Sequence, residues 1–210
     1  MIALRLLTCA LLCMGVGACV NQTIKSTSVP AIETPATAVS EDLLLDVSVV
    51  VFNPGVDDYD EEDDEQIYPE VRNAESRYMP KLLSEAMQES GAWGAVRVVP
   101  NNSQITDLVV RGTILHSDGE ELKLSITATD ARGRVWMEKT YTGVSSRYAY
   151  QSTARSTHDP FQAVYNTIAN DFLRRLGALS PAERSEVRTV TELRFARSFS
   201  PTAFDGYLEE

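Results

Sequence analysis

The feature that most limits how this chain can fold is its amino terminus, where an apolar run closes on small residues and a cysteine. A short positive region ends at Arg5, and the run Leu6–Val16 carries no charged side chain. Two small residues follow, as signal peptidases require, and Cys19 comes directly after them. The run is shorter than the ~20 residues of a membrane-spanning helix. We therefore expect residues 1–18 to be a signal peptide that is removed and takes no part in the folded domain.

The stretch Val16–Cys19 resembles the lipobox of bacterial lipoproteins, with Val16 where leucine is commonest. The resemblance implies that Cys19 becomes the first residue of the mature chain and carries the acyl groups that anchor it. Two or three acyl chains hold a protein on a membrane durably, whereas one chain is marginal. An aspartate after the cysteine usually retains such proteins at the inner membrane, and here that position is Val20. The resemblance therefore implies the outer membrane, with the folded part in the periplasm. An uncleaved anchor helix and an ordinary secretory signal are the alternatives.

Cysteine usage agrees with export and acylation. The chain has 3 cysteines, of which Cys9 and Cys13 lie in the segment expected to be removed, and lipid would consume the thiol of Cys19. No disulfide is then available in an oxidising compartment, so the apolar core must hold the domain together.

The formal net charge of the chain is −11, but much of its acidity lies in the run Asp57–Glu65. No basic stripe is present to pair with phosphates, which argues against a nucleic-acid partner. The acidic run lacks the glycine turn and the terminal glutamate spacing of an EF-hand loop. We interpret it as a solvated loop, with weak divalent-cation binding or docking to a basic partner as alternatives. We expect neither a metal site nor a cofactor.

Composition divides the mature chain into three parts. Residues 19–41 are rich in Thr, Ser, Ala and Pro without an apolar period, and this pattern predicts a flexible lipidated tether. Residues 42–177 form the predicted periplasmic domain. The remainder, residues 178–210, is predicted to be a helical C-terminal extension that opens at a capping box beginning with Ser180.

The pattern in the folded part predicts the α+β class. Apolar and β-branched runs predict five strands, at residues 45–52, 95–99, 107–116, 122–129 and 134–142. A helical apolar face spans residues 70–89 and contains Pro80, so the helix is either kinked there or begins there. A second helix is predicted to open at Asp159, followed by Pro160. We predict a mixed sheet of about five strands with an antiparallel meander and helices packed on one face.

Three stretches carry a resemblance at the level of the fold: Leu82–Trp93, Asp107–Ile114 and Asp130–Trp136. On these, the folded part resembles the amino-terminal domain of TolB, the CsgG-like secretion lipoproteins and the auxiliary lipoproteins of ABC-type lipid transporters. The resemblance implies a small α/β domain of the bacterial envelope. The sequence lacks a pair of alternating apolar segments long enough for the membrane-spanning hairpins of CsgG. A shared fold does not carry function with it.

Motifs for catalysis are missing from the sequence. It contains no nucleophile elbow, zinc-protease motif, phosphate-cradling loop or dinucleotide fingerprint. Its 2 histidines, His116 and His158, are expected to be surface or capping residues. We therefore expect a protein that is not an enzyme. A hydrolase would require two carboxyl groups about 5–9 Å apart in a cleft.

Two surfaces are candidates for recognition. The first is the loop before the second helix, because arginine and tyrosine dominate binding hot spots; its candidate residues are Arg147, Tyr148, Tyr150 and Arg155. The second is a polar strand face formed by Lys123, Ser125, Thr127 and Thr129. We expect attachment to the membrane through the N-terminal lipid, and an envelope protein or a second copy as partner. The expected role is a non-enzymatic assembly, transport or secretion accessory, and direct lipid, glycan or peptidoglycan binding is the alternative.

Overall fold

The computed structural model describes residues 20–25, 29–56, 68–101, 103–145 and 159–203. The strands in these ranges are β1 (Val20–Lys25), β2 (Val47–Val50), β3 (Val96–Val99), β4 (Leu108–Ser117), β5 (Glu121–Asp130) and β6 (Val135–Val144). The helices are α1 (Pro69–Glu89), α2 (Gln162–Gly177) and α3 (Pro181–Phe199). Two short 3₁₀ turns cover Glu41–Leu43 and Pro201–Ala203.

The strands form one mixed sheet in the order β1-β6-β5-β4-β2-β3. β4, β5 and β6 pair antiparallel in succession, which confirms the predicted meander. β2 pairs in parallel with β3 and β4, and β1 pairs in parallel with β6. We call the end of the sheet where β2, β4 and β6 begin, and where β5 ends, the base. The predicted α+β class is confirmed, with β1 as a strand that the sequence did not predict.

Within the described residues 20–25 and 29–41, parts of the segment predicted as a flexible tether over residues 19–41 are docked on the fold. β1 extends the sheet beside β6, and Ile24 is buried. Further along, the side-chain amide of Asn170 on α2 donates a hydrogen bond to the carbonyl of Ala31 at 2.9 Å. The same side chain accepts one from the backbone N–H of Glu33 at 2.8 Å. A helix side chain thus supplies the backbone partners of this segment, and its composition gives no sign of that.

The helices α1 and α2 pack against each other on one face of the sheet, which we call the inner face. Alternate residues of β5 enter the core there, and Leu122, Leu124 and Ile126 are fully buried. Gly112 on β4 leaves room for the ring of Phe52, because a Cβ at this position would lie 2.6 Å from its Cδ1. The alternation of β5 and the predicted placement of helices on one face are therefore both observed.

The inner helices differ in detail from their predicted bounds. α1 continues through Pro80, and Gly91 follows its end with a φ of 65°, in the left-handed conformation expected of a helix-terminating glycine. α2 begins at Gln162 and not at Asp159, which corrects the predicted start. The carboxylate of Asp159 accepts the backbone N–H of Phe161 at 2.8 Å and closes a turn just before the helix.

The helix α3 lies across the base of the sheet. It opens at the predicted capping box: Ser180 Oγ accepts the backbone N–H of Glu183 at 3.3 Å, and the Glu183 carboxylate accepts that of Ser180 at 2.8 Å. Val187 is buried, and Arg188 donates to the carbonyl of Leu44 at 2.6 Å. Neither α3 nor any other helix within the described ranges combines the length and apolarity needed to cross a bilayer.

Candidate functional site

The first predicted recognition site lies outside the described residues. The candidates Arg147, Tyr148, Tyr150 and Arg155 all fall within residues 146–158, as does His158. Cys19 and the acidic run Asp57–Glu65 also fall outside the described ranges. The roles assigned to these residues stay predictions.

The second predicted site, the polar face of β5, is part of the described sheet. Its members lie on the outer face, opposite α1 and α2, and are half-buried: Lys123, Ser125, Thr127 and Thr129. The neighbouring strands extend this face into rows, one of which places Arg111 of β4 and Glu138 of β6 on either side of Thr127. A cation, a hydroxyl and a carboxylate therefore stand side by side across three strands.

Toward the base, the outer face deepens into a groove of about 470 Å³ between the sheet, the segment before β4 and α3. Arg111 contributes to its lining from β4, and Arg194 contributes from α3. Ser103, Thr106 and Thr129 add hydroxyl groups. Guanidinium groups are suited to carboxylate and phosphate oxygens because they present planar sets of donors. The groove therefore has the chemistry to hold an anionic ligand that also carries hydroxyl or amide groups.

Asp130 also lines the groove, and its carboxylate locks the turn between β5 and β6. It accepts the backbone N–H groups of Arg132 at 2.9 Å and Arg134 at 3.1 Å, and the Nε1–H of Trp136 at 2.9 Å. Burial opposes ionisation of Asp130, but the donors of Arg132, Trp136 and Arg134 hold its pKa below the ordinary value. Arg132 also pairs with Glu186 of α3 at 2.7 Å. This stretch, one of the three that carry the fold-level resemblance, ties the meander to α3.

Two further carboxylates share a cleft of about 310 Å³ at the base. Asp46 and Asp107 each stand one residue before a strand, and the parallel pairing of β2 with β4 sets them side by side. Asp107 Oδ2 accepts the backbone N–H of Asp46 at 2.8 Å, and Asp46 Oδ1 accepts that of Ala95 at 2.7 Å. Burial raises the pKa of Asp107, against the hydrogen bonds from Thr191 and Asp46 that lower it.

Sequence reasoning did not single out this pair of aspartates. The sequence does place an aspartate directly before each of two apolar strands. That pattern indicates a pair only once the two strands are known to be parallel neighbours. A hydrolase would need an acid pair in a cleft, and here both carboxylates accept backbone hydrogen bonds. These hydrogen bonds have a structural role, because they join the starts of β2 and β4 and the segment before β3.

His116 lies at the opposite end of the sheet, beside the hairpin between β4 and β5. Its Nε2 lies 3.2 Å from Oδ2 of Asp118. Asp118 accepts the backbone N–H groups of Glu121 at 2.7 Å and Glu120 at 2.8 Å, and these bonds lower its pKa. Across the ranges that the structure describes, no cluster of three or more His, Cys, Asp or Glu side chains is placed to hold a metal ion.

Fold and surfaces together define an α+β domain with one helix-covered sheet face and one polar sheet face. No known protein family matches the chain, and no curated protein matches it significantly. The PelC dodecamer from Paraburkholderia phytofirmans is similar at 18% identity over 73% of this chain and 96% of that chain, with a TM-score of 0.38. The hypothetical protein CT253 from Chlamydia trachomatis is similar at 10% identity over 64% of this chain and 99% of that one, with a TM-score of 0.39. Both are distant fold matches, and neither assigns a function to this chain.

Proposed function

We propose that this protein is a bacterial lipoprotein, anchored through Cys19 in the outer membrane and facing the periplasm. In that place it acts as a non-enzymatic accessory in the assembly, transport or secretion of an envelope component. The observation that carries the proposal is the outer face of the sheet, where polar rows such as Arg111–Thr127–Glu138 are half-exposed or exposed and lie opposite the helices α1 and α2.

The anchor is supported by the apolar run and by the lipobox that ends at Cys19. The folded domain follows the acylation site directly, because β1 begins at Val20. A permanently acylated chain of this kind is held at one membrane, so its partners must be molecules that reach the same surface.

The adaptor role is supported by the chemistry of the outer face. Arg111 and Glu138 stand on strands two places apart, which is about 10 Å in a sheet. Opposite charges at that spacing, with Thr127 between them, suit a protein surface that offers the complementary pattern, because charge complementarity selects partners and fixes their register. The predicted loop residues Arg147 and Tyr148 would add contact area to such an interface.

The non-enzymatic role is supported by how the buried carboxylates are used. Asp46, Asp107 and Asp130 each accept backbone hydrogen bonds at the base. Carboxylates committed to backbone donors stabilise turns and strand ends, whereas a general acid or base must be within reach of a substrate proton.

The second candidate function is direct binding of an anionic envelope ligand, and the groove at the outer face favours it. Its lining includes Arg111 and Arg194 together with three hydroxyl side chains. A carboxylate-bearing glycan or peptidoglycan fragment, or the phosphate of a lipid headgroup, has oxygens that accept hydrogen bonds from guanidinium and hydroxyl groups of this kind. A protein partner would use the whole polar face, whereas a small ligand would need only the groove.

The test is a crosslinked capture of the acylated protein from intact envelopes, with partners identified by mass spectrometry. Arg111→Glu reverses the charge in the polar row, and Arg77→Glu is the matched control because Arg77 is exposed on α1, away from the outer face. We expect a recurrent protein to be captured by the unmodified chain and by Arg77→Glu, and to be lost with Arg111→Glu. The double change Arg147→Glu and Arg155→Glu tests the loop in the same way.

Equal capture by all of these variants would contradict the adaptor role. Loss of bound lipid or glycan with Arg111→Glu, without any change in captured protein, would favour the second candidate. The anchor is tested separately, because Cys19→Ala must abolish acylation of the amino-terminal peptide. A membrane-bound and acylated Cys19→Ala protein would contradict the proposed attachment.

A further inference from the structure

The base of the domain is the end at which the chain would be tied to lipid. β1 runs parallel to β6, with Val20 opposite Lys139 near the middle of β6, so β1 runs away from the base and its amino-terminal side faces the base. β6 itself begins at Val135, four residues before Lys139, or about 13 Å along a strand. An acylated residue one position before Val20 lies within about 3.8 Å of it along the chain, so the bilayer lies on the basal side of β1 and the base is the end of the domain that faces it.

The same end carries the most exposed large apolar side chains of the described residues. Phe199 is 75% exposed, Val135 is 59% exposed and Phe195 is 57% exposed. The two phenylalanine rings pack edge to face with centroids 4.9 Å apart on the last turns of α3. Ile105 is also exposed and shares the basal cleft with Phe195. Aromatic rings left in water cost free energy, so exposed apolar residues gathered at one end indicate a surface that is covered in use.

The last half of α3 differs in charge from the chain as a whole, although the cleft beside it also holds Asp46 and Asp107. The last half of α3, from Thr191 to Phe199, carries Arg194 and Arg197 against the single acid Glu192, whereas the whole chain has a net charge of −11. Phenylalanines alongside arginines on one helix are the pattern of a helix that lies in a membrane interface and meets anionic headgroups.

We propose that the base of the domain, formed by the end of α3 with Phe195 and Phe199 and by Val135 and Ile105, lies in the headgroup region of the membrane. This inference rests on the proposed acylation at Cys19. Lipid anchor and apolar base then act as two attachments at one end of the domain, and together they fix its orientation. With the base held down, the hairpin between β4 and β5 points away from the bilayer, and the outer face stands upright for a partner.

A lipid surface is a better occupant of the base than a protein, because the base lies on the same side of the domain as the proposed lipid anchor. The anchor would enter the domain at Val20, about 13 Å along the sheet from the base and on its basal side, so any occupant of the base must share the space with the membrane itself. Anionic phospholipid complements the arginines of α3, whereas a second copy that met this end through the same surface would set arginines against arginines.

The experiment places a tryptophan at the base of the acylated full-length protein and measures its quenching by lipid. Phe199→Trp introduces the probe; the native Trp93 and Trp136 also emit, but both are buried in the core away from the quencher, and their signal is subtracted by measuring the unmodified protein in the same vesicles. Leu115→Trp is the matched control, since Leu115 is also exposed but lies near the far end of β4. Each protein is reconstituted in vesicles of phosphatidylethanolamine and phosphatidylglycerol that carry bromine on the acyl chains near the headgroup.

We expect the emission of Phe199→Trp to shift to the blue and to be quenched by brominated lipid, and that of Leu115→Trp to stay unshifted and unquenched. Acylated protein with equal, negligible quenching at both positions would overturn the inference and leave the anchor intact. A blue shift without quenching would also overturn it, because protein rather than lipid would then cover the base. Absence of acylation by mass spectrometry would overturn the anchor and this inference together.

Discussion

The two faces of the sheet are built from the same strands but follow different rules. On the inner face, Leu124 and Ile126 of β5 are fully buried under α1 and α2. On the outer face, their neighbours Ser125 and Thr127 are half-buried and carry hydroxyl groups. Each inner residue is fixed by contacts on several sides, whereas each outer residue can change its partners without disturbing the core. The contrast separates the residues that hold the fold from those available for recognition.

The base of the sheet does not follow this division. There, polar side chains are buried and yet structural: Asp130 is enclosed by donors of the turn that it closes, and Asp107 by those of Asp46 and Thr191. The base is therefore held together by hydrogen bonds to buried carboxylates, whereas the inner face is held together by apolar burial. Arg132, which pairs with Asp130 and with Glu186, links these polar groups to α3.

Phe172→Ala is expected to give the largest effect, because the ring is fully buried between α2 and the sheet. Truncation leaves a cavity and should lower the free energy of unfolding by about 4 kcal/mol. Denaturant titration measures the loss, with an unchanged m-value showing that the unfolded state is the same. Phe199→Ala removes an equal ring from an exposed position and should stay within about 0.5 kcal/mol. Similar losses for the two variants would break the distinction between core and surface.

Asp130→Asn should lower stability by about 3 kcal/mol at neutral pH, because the buried carboxylate that receives donors from Arg132, Arg134 and Trp136 is neutralised. The folded pKa of Asp130 lies below its ordinary value, so its contribution is present above the ordinary aspartate pKa and is lost as pH falls through the lowered value. The unfolding free energies of the two proteins should therefore converge at low pH. A difference that stays constant down to the acid limit would show that charge is not the cause.

The meander was predictable from the sequence because its signals are local. Alternation along β5 and glycines at the turns determine three adjacent strands, and Gly119 and Gly133 do adopt positive φ values of 89° and 80°. The base could not be predicted in the same way. The pairing of Asp46 with Asp107 depends on two strands about 60 residues apart in sequence becoming parallel neighbours, and no local pattern encodes this.

β1 escaped prediction for a related physical reason. Its residues are mostly polar. It lies at the edge of the sheet beside β6, and an edge strand need not show the apolar alternation by which strands are predicted. The segment that follows is held by Asn170, whose amide looks like any polar helix residue until its partners are known. Composition that is typical of linkers therefore does not exclude a docked segment.

Asn170→Ala tests whether the segment after β1 belongs to the helix-covered side of the molecule. The change removes the side-chain donor to the Ala31 carbonyl and the side-chain acceptor of the Glu33 N–H. It should lower the free energy of unfolding by about 1.5 kcal/mol. Hydrogen exchange should show faster exchange at the Glu33 amide, with the protection of β5 unchanged. Thr189→Ala, at an exposed position of α3, serves as the control. An unchanged exchange rate at Glu33 would indicate that this segment is a flexible tether, as the sequence predicts.

Thr127→Ala should give the smallest effect on stability and thereby sharpen the contrast between the faces. The side chain lies on the outer face between Arg111 and Glu138, so its loss should change the free energy of unfolding by less than about 0.5 kcal/mol. If the outer face binds an envelope protein, the same change should lower the yield of the crosslinked partner, because a hydrogen-bonding group is lost from the centre of the polar row. A stability loss near that of Phe172→Ala would instead place Thr127 in a second core, and the outer face would then serve the fold and not recognition.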